Sequence, residues 1–398
     1  MTFRNHRMER FGLVGIALLW MTGFSAWNAS ASEVTTAGSV EAVAPSQAFR
    51  VDLADLERSY WLHASLGQRT VANYWFASEP VTEPPSRAQI AQAARLLVGP
   101  YGANRLYLMY HNEIPAERAR EVFKIWREVT PPEVELVPAL VLRMYDKDNT
   151  LVFDDAEIAD WADFFKAHVH PKRIAVYDVY TRPDQGPGPA ILSERFPGGL
   201  IHVGQQPATR VEPPFAAAVQ DTWSGMCHGT RNEEDWLQPG FGDGTLRAWV
   251  EERNAGSHPI AWNLVAVAWD YEPTERGGFP GYDDARKNMP LPADRNRLAA
   301  NLILDTARPE VMAGFSADLF IIHANSRVKE RDGDADAFYA TLREGRPYRG
   351  YFAEPFHEIA ALFRALRYGD AAALRERIAL NASIDRAVEA PSTRPSRP

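Results

Sequence analysis

Cysteine is almost absent from this chain: Cys227 is the only one in 398 residues. A disulfide framework and a cysteine-based zinc site are therefore both excluded. Positive charge is also in deficit, with forty-three Lys and Arg against fifty-two Asp and Glu and a net charge of −9. No basic cluster stands out, so nucleic acid is not an expected partner. The sequence has no glycine-rich phosphate loop, no His-Glu-x-x-His pair and no Gly-x-Ser-x-Gly elbow. These absences count against kinase or dehydrogenase chemistry, zinc-peptidase hydrolysis and a serine esterase. What remains is a globular balance, 45% hydrophobic and 24% charged, which excludes a mostly disordered or fibrous chain.

The two ends differ from the middle. Arg4, Arg7 and Arg10 precede an apolar run from Phe11 to Phe24, and Ala29-Ser30-Ala31 forms a small-x-small site. Residues 1–31 therefore read as a secretory signal peptide. The apolar run is short for a spanning helix and is broken by Thr22, Gly23 and Ser25, so stable membrane insertion after cleavage is not expected. The working protein is expected to be secreted or periplasmic. Residues 32–50 read as a linker and residues 386–398, rich in Pro, Ser and Arg, as a disordered tail.

Residues 51–385 alternate between apolar runs and helical periods. The runs begin at Val71–Phe76 and continue with Arg105–Tyr110, Glu135–Met144, Arg173–Tyr180, Leu200–Val203, Ala217–Trp223, Ile260–Trp269 and Leu319–His323. Helical spacing follows most of them, clearest over Ser86–Val98, Ala116–Val129 and Asp155–His168. Continuous apolar strands with intervening helices predict a single (β/α)8 TIM barrel, an α/β fold whose strands are covered on both faces. An open doubly wound sheet is the runner-up.

In such a barrel, chemistry gathers at the C-terminal strand ends. Those ends hold acids, Glu113, Asp178, Asp221, Asp270 and Glu272, and rings, Trp75, Tyr110, Tyr145, Tyr180, Trp223, Trp269 and Tyr271. His111, Arg143, Gln205, His323 and Asn325 stand among them. Sugars stack their C–H faces on flat rings and bond their hydroxyls to Asp, Asn, Gln and His. Two carboxylates cleave a glycosidic bond, one as acid and the other as nucleophile or base. The expected catalytic group is Asp178, Asp221, Asp270 and Glu272. Trp75, Tyr110, His111, Glu113, Arg143, Tyr145, Tyr180, Gln205, Trp223, Trp269, His323 and Asn325 are expected to bind an oligo- or polysaccharide.

On these residues the chain resembles the TIM-barrel glycoside hydrolases in architecture. Asp178 at the fourth strand and Asp221 at the sixth are similar in placement to the α-galactosidase clan. That resemblance implies Asp178 as nucleophile and Asp221 as acid/base. Val176 departs from the clan, which has a lysine there.

Two other function classes stay open: a non-catalytic carbohydrate-binding barrel, and a metal-assisted hydrolase or isomerase using Glu113, Asp178, Asp270, Glu272 and His323. No cofactor or metal is part of the preferred reading. The acidic stretch Asp146 to Glu157 has calcium-loop spacing, but Leu151 stands where the loop demands glycine. Capping of the following helix accounts equally well for Asp154 and Asp155.

Overall fold

A computed structural model describes residues 49–68, 83–142, 152–177, 188–204, 215–221, 246–264, 295–319, 332–350 and 353–376. The expected signal peptide, linker and tail lie outside the described residues, apart from the linker's last two.

Among the described residues, eight parallel strands organise the fold: β1 (Glu57–His63), β2 (Arg105–Tyr110), β3 (Glu135–Leu140), β4 (Ile174–Val176), β5 (Leu200–Gly204), β6 (Ala217–Asp221), β7 (Ile260–Leu264) and β8 (Met312–Asp318). Each pairs with its sequence neighbour, and β8 pairs back onto β1 through Glu57 opposite Gly314 and Trp61 opposite Asp318. The helices are α1 (Arg87–Val98), α2 (Ala116–Val129), α3 (Asp155–His168), α4 (Gly188–Arg195), α5 (Leu246–Asn254), α6 (Arg295–Thr306), α7 (Asp332–Glu344), α8 (Ala353–Arg367) and α9 (Ala371–Arg375).

This arrangement corrects the regular TIM barrel expected from the sequence. The first described strand is Glu57–His63, upstream of the expected Val71–Phe76, and the last is Met312–Asp318, upstream of the expected Leu319–His323; both expected runs, apart from Leu319, lie outside the described residues. The unit is also uneven. No helix separates β5 from β6 among the described residues, and β4 has three residues, meeting β3 only through Ala175 and Val176.

Alternation along the strands sorts the core into two layers. Tyr60 and Leu62 of β1, Leu106, Leu108 and Tyr110 of β2, and Phe315 and Ala317 of β8 pack outward under the helices. Trp61, Tyr107, Met109, Val137, Ala139, Ala175, Tyr177, Ile201 and Ala261 fill the interior. Trp61 and Tyr107 stack there with ring centroids 3.8 Å apart and planes 2° from parallel.

Local chemistry sets the helix starts. Ser86 and Gln89 form a reciprocal capping box at α1, as do Asp154 and Glu157 at α3. Both carboxylates of the second box are thus engaged as caps. Trp126 of α2 donates its indole N–H to the Ala64 carbonyl at 2.8 Å, tying that helix to the residue that follows β1.

The N-terminal end of the strand ring is closed by paired charges. Glu57 accepts from Ser59 Oγ at 2.7 Å, from Tyr107 Oη at 2.9 Å, and from Arg105. Arg105 also reaches Glu135, which is shared with Arg173. A charge this buried is tolerable only because its oxygens are occupied.

Candidate functional site

The opposite, C-terminal end holds a different set of groups. His63 is the last residue of β1 and falls in step with Trp61 on the interior side, in register with Met109 of β2. His111 stands two residues beyond Met109, so alternation carries it to the same side. Asn112 then takes a left-handed conformation (φ +63°), with its Nδ2 donating to the Val152 carbonyl at 2.8 Å. Asparagine tolerates that conformation better than most residues. The turn brings Glu113 back against its neighbour: Glu113 Oε2 accepts the His111 backbone N–H at 3.0 Å.

His63, His111 and Glu113 are all buried, and one ligand-type atom from each lies within 4.8 Å of the others. His111 Nε2 is 3.3 Å from His63 Nδ1 and 3.8 Å from Glu113 Oε2. Glu113 Oε1 is buried and has no hydrogen-bond partner among the described residues. Burial pushes the His111 pKa below its ordinary value, against an opposing pull from Glu113, and so favours the neutral ring.

Tyr339 of α7 closes one flank. Its hydroxyl accepts the His63 backbone N–H at 3.4 Å and donates to the Leu319 carbonyl at 3.1 Å. Burial raises its pKa, and the nearby Asp318 and Glu113 carboxylates add to the rise, so the hydroxyl keeps its proton. Asp318, at the end of β8, accepts from Tyr177 Oη at 2.7 Å. Imidazoles, carboxylates and phenols thus gather at one end, a set able to exchange protons, bind hydroxyls or ligate a cation.

Of the residues singled out from sequence, the fold brings His111 and Glu113 together. Tyr110 goes elsewhere: it faces the helix layer, 4.7 Å from Trp161 by ring centroid and near Phe153 and Phe123, and its hydroxyl donates to the Ile114 carbonyl. That is a packing role, not a sugar-stacking one. Asp221 is the last residue of β6, in register with Asn263 of β7. Trp75, Arg143, Tyr145, Asp178, Tyr180, Gln205, Trp223, Trp269, Asp270, Glu272, His323 and Asn325 lie outside the described residues.

Sequence reasoning missed His63 and Asp318, because starting the barrel at Val71 and its last strand at Leu319 passed over both. A signal was there for His63: two runs, Tyr60-Trp61-Leu62-His63 and Leu108-Met109-Tyr110-His111, each end apolar residues on a histidine.

No protein-family model matches this chain, and no curated protein matches it either. The residues at the strand ends carry the functional argument unaided.

Proposed function

We propose that the C-terminal mouth of the strand ring is a hydrolytic site, and that the bond it cleaves is glycosidic. The observation that carries the first step is the contrast between the two ends. One is filled by charges that satisfy one another, while the other holds the His63, His111 and Glu113 cluster, with one Glu113 oxygen lacking a described partner, and the hydrogen-bonded pair of Tyr177 and Asp318.

The second step rests on the type of group. Glycoside cleavage needs two carboxylates in different environments, one held protonated and one ionised. Glu113 lies beside imidazoles and Asp318 beside a phenol, so carboxylates at this mouth meet different surroundings. Asp178 follows Tyr177 directly in the chain and Asp221 ends β6, which keeps the pair suggested by sequence in the proposal. Asp178 is assigned as nucleophile or base and Asp221 as acid, with export to the periplasm or beyond as the setting in which glycans would be met.

The test is turnover of a panel of aryl glycosides and soluble polysaccharides by the purified protein, with reducing ends as readout. Asp178→Asn and Asp221→Asn should each lower turnover by about 10²–10⁴-fold, the scale of acid–base catalysis, with little change in melting temperature. Near-normal activity in either variant would remove that residue from the assignment. A wild-type protein that cleaves no glycoside but binds glycan would make this a carbohydrate-binding module instead.

A further inference from the structure

We propose that His63, His111 and Glu113 form a binding site for one divalent transition-metal ion of the zinc, cobalt or manganese type. The inference stands whether or not the substrate is a glycan.

Geometry comes first. Metal–nitrogen bonds of about 2.1 Å in tetrahedral arrangement put neighbouring ligand atoms about 3.4 Å apart. The imidazole nitrogens are 3.3 Å apart, close to that edge, the near oxygen of the Glu113 carboxylate is 3.8 Å from His111 Nε2, and one ligand-type atom of each residue lies within 4.8 Å of the others. A turn of the Glu113 carboxylate that brings Oε1 toward the two rings would let the three groups share an ion.

The donor set points the same way. Two imidazoles and one carboxylate suit zinc and its first-row neighbours, whereas calcium and magnesium prefer all-oxygen shells. The residues also come from the ends of two paired strands. His63 ends one strand, while His111 and Glu113 immediately follow the adjacent one, on either side of the left-handed Asn112. The His111 backbone N–H fixes the Glu113 carboxylate from outside, as an outer-sphere donor does in metal sites.

Burial supplies the independent pointer to a ligand. Glu113 is fully buried, yet its Oε1 lacks a hydrogen-bond partner among the described residues. A buried carboxylate oxygen without a donor is costly unless a cation sits against it. Three protein ligands leave at least one coordination position for water or substrate, the pattern of catalytic rather than structural sites.

The competing account is a metal-free cluster in which one ring nitrogen donates to the other. Tag-free full-length protein, stripped with chelator and dialysed, separates the two when titrated with Zn²⁺ or Co²⁺ alone. We expect one equivalent bound per chain, a higher melting temperature with metal, and a visible cobalt absorption from a low-coordinate nitrogen–oxygen site. His111→Gln and Glu113→Gln, each checked for native circular dichroism, should weaken binding by more than about 100-fold, beyond what outer-sphere changes produce, and lose the cobalt band. If the wild type, folded after stripping, takes up no stoichiometric metal, the proposal is overturned. It is overturned equally if binding and the cobalt band survive both substitutions. Because the readouts are binding and spectrum, failure here leaves the glycosidic reading untouched, and an inactive enzyme that still binds metal leaves this one standing.

Discussion

Tyr177, the residue after β4, donates its phenolic hydrogen to Asp318 Oδ2 at 2.7 Å, linking β4 to β8 from opposite positions in the strand order. With Trp61 stacked on Tyr107 and tilted against Tyr177 at 5.8 Å, this contact makes the interior a packed floor and not a channel.

Removing that contact has a measurable consequence. Tyr177→Phe keeps the ring but takes one donor from a buried carboxyl group, so stability should fall by about 1–3 kcal/mol. A lower urea midpoint at unchanged slope is the expected reading. An unchanged midpoint would show that the Tyr177 hydroxyl contributes nothing to stability.

The seam between β1 and β8 depends on a single glycine. Gly314 has φ +148°, and a Cβ there would sit 2.7 Å from Glu57 Cα and closer still to its backbone N and O. The neighbouring register slips by one residue, Ile260 facing Met312 and Ala261 facing Gly314, as a bulge does. Gly314→Ala should therefore cost about 3 kcal/mol from dihedral strain and overpacking together. Gly198→Ala is the control: its φ is +69° but nothing lies within 4 Å of the added carbon, so about 1 kcal/mol is expected. Equal losses in the two variants would argue against a tight seam.

His202 on β5 predicts an acid-sensitive stability. Its ring lies 4.8 Å from Phe215, neither ring nitrogen has a partner among the described residues, and burial lowers its pKa to about 4 from the ordinary 6.5. The unfolded chain then takes up the proton first. Stability should fall as pH drops from about 6.5 toward about 4, by about 3 kcal/mol once fully developed. His202→Leu should flatten the difference in urea midpoint between pH 7 and pH 5, and an equally steep dependence in that variant would refute the assignment.

Much of the frame is legible without tertiary information. Arg105–Tyr110, Ala116–Val129 and Asp155–His168 occupy the spans that their apolar periods imply, because those signals act over one or two turns. His111 and Glu113 could likewise be placed at a strand end, since they follow an unmistakable apolar run.

The identity of the first strand could not be read this way. Glu57–His63 carries Glu, Arg, Ser and His, and by local composition Val71–Phe76 is the better strand. Only the folded ring supplies what makes the polar run viable: Glu57 accepts from Ser59 on its own strand and from Tyr107 and Arg105 across the strand pair, and Gly314 lets β8 close against it. The meeting of His63 with His111 follows from that pairing. Sequence by itself determined which residues are apolar, where helices begin and which segments alternate. Tertiary structure decided which strands are neighbours and in what register, and therefore which polar side chains share the mouth, because pairing between distant segments leaves no period in either one.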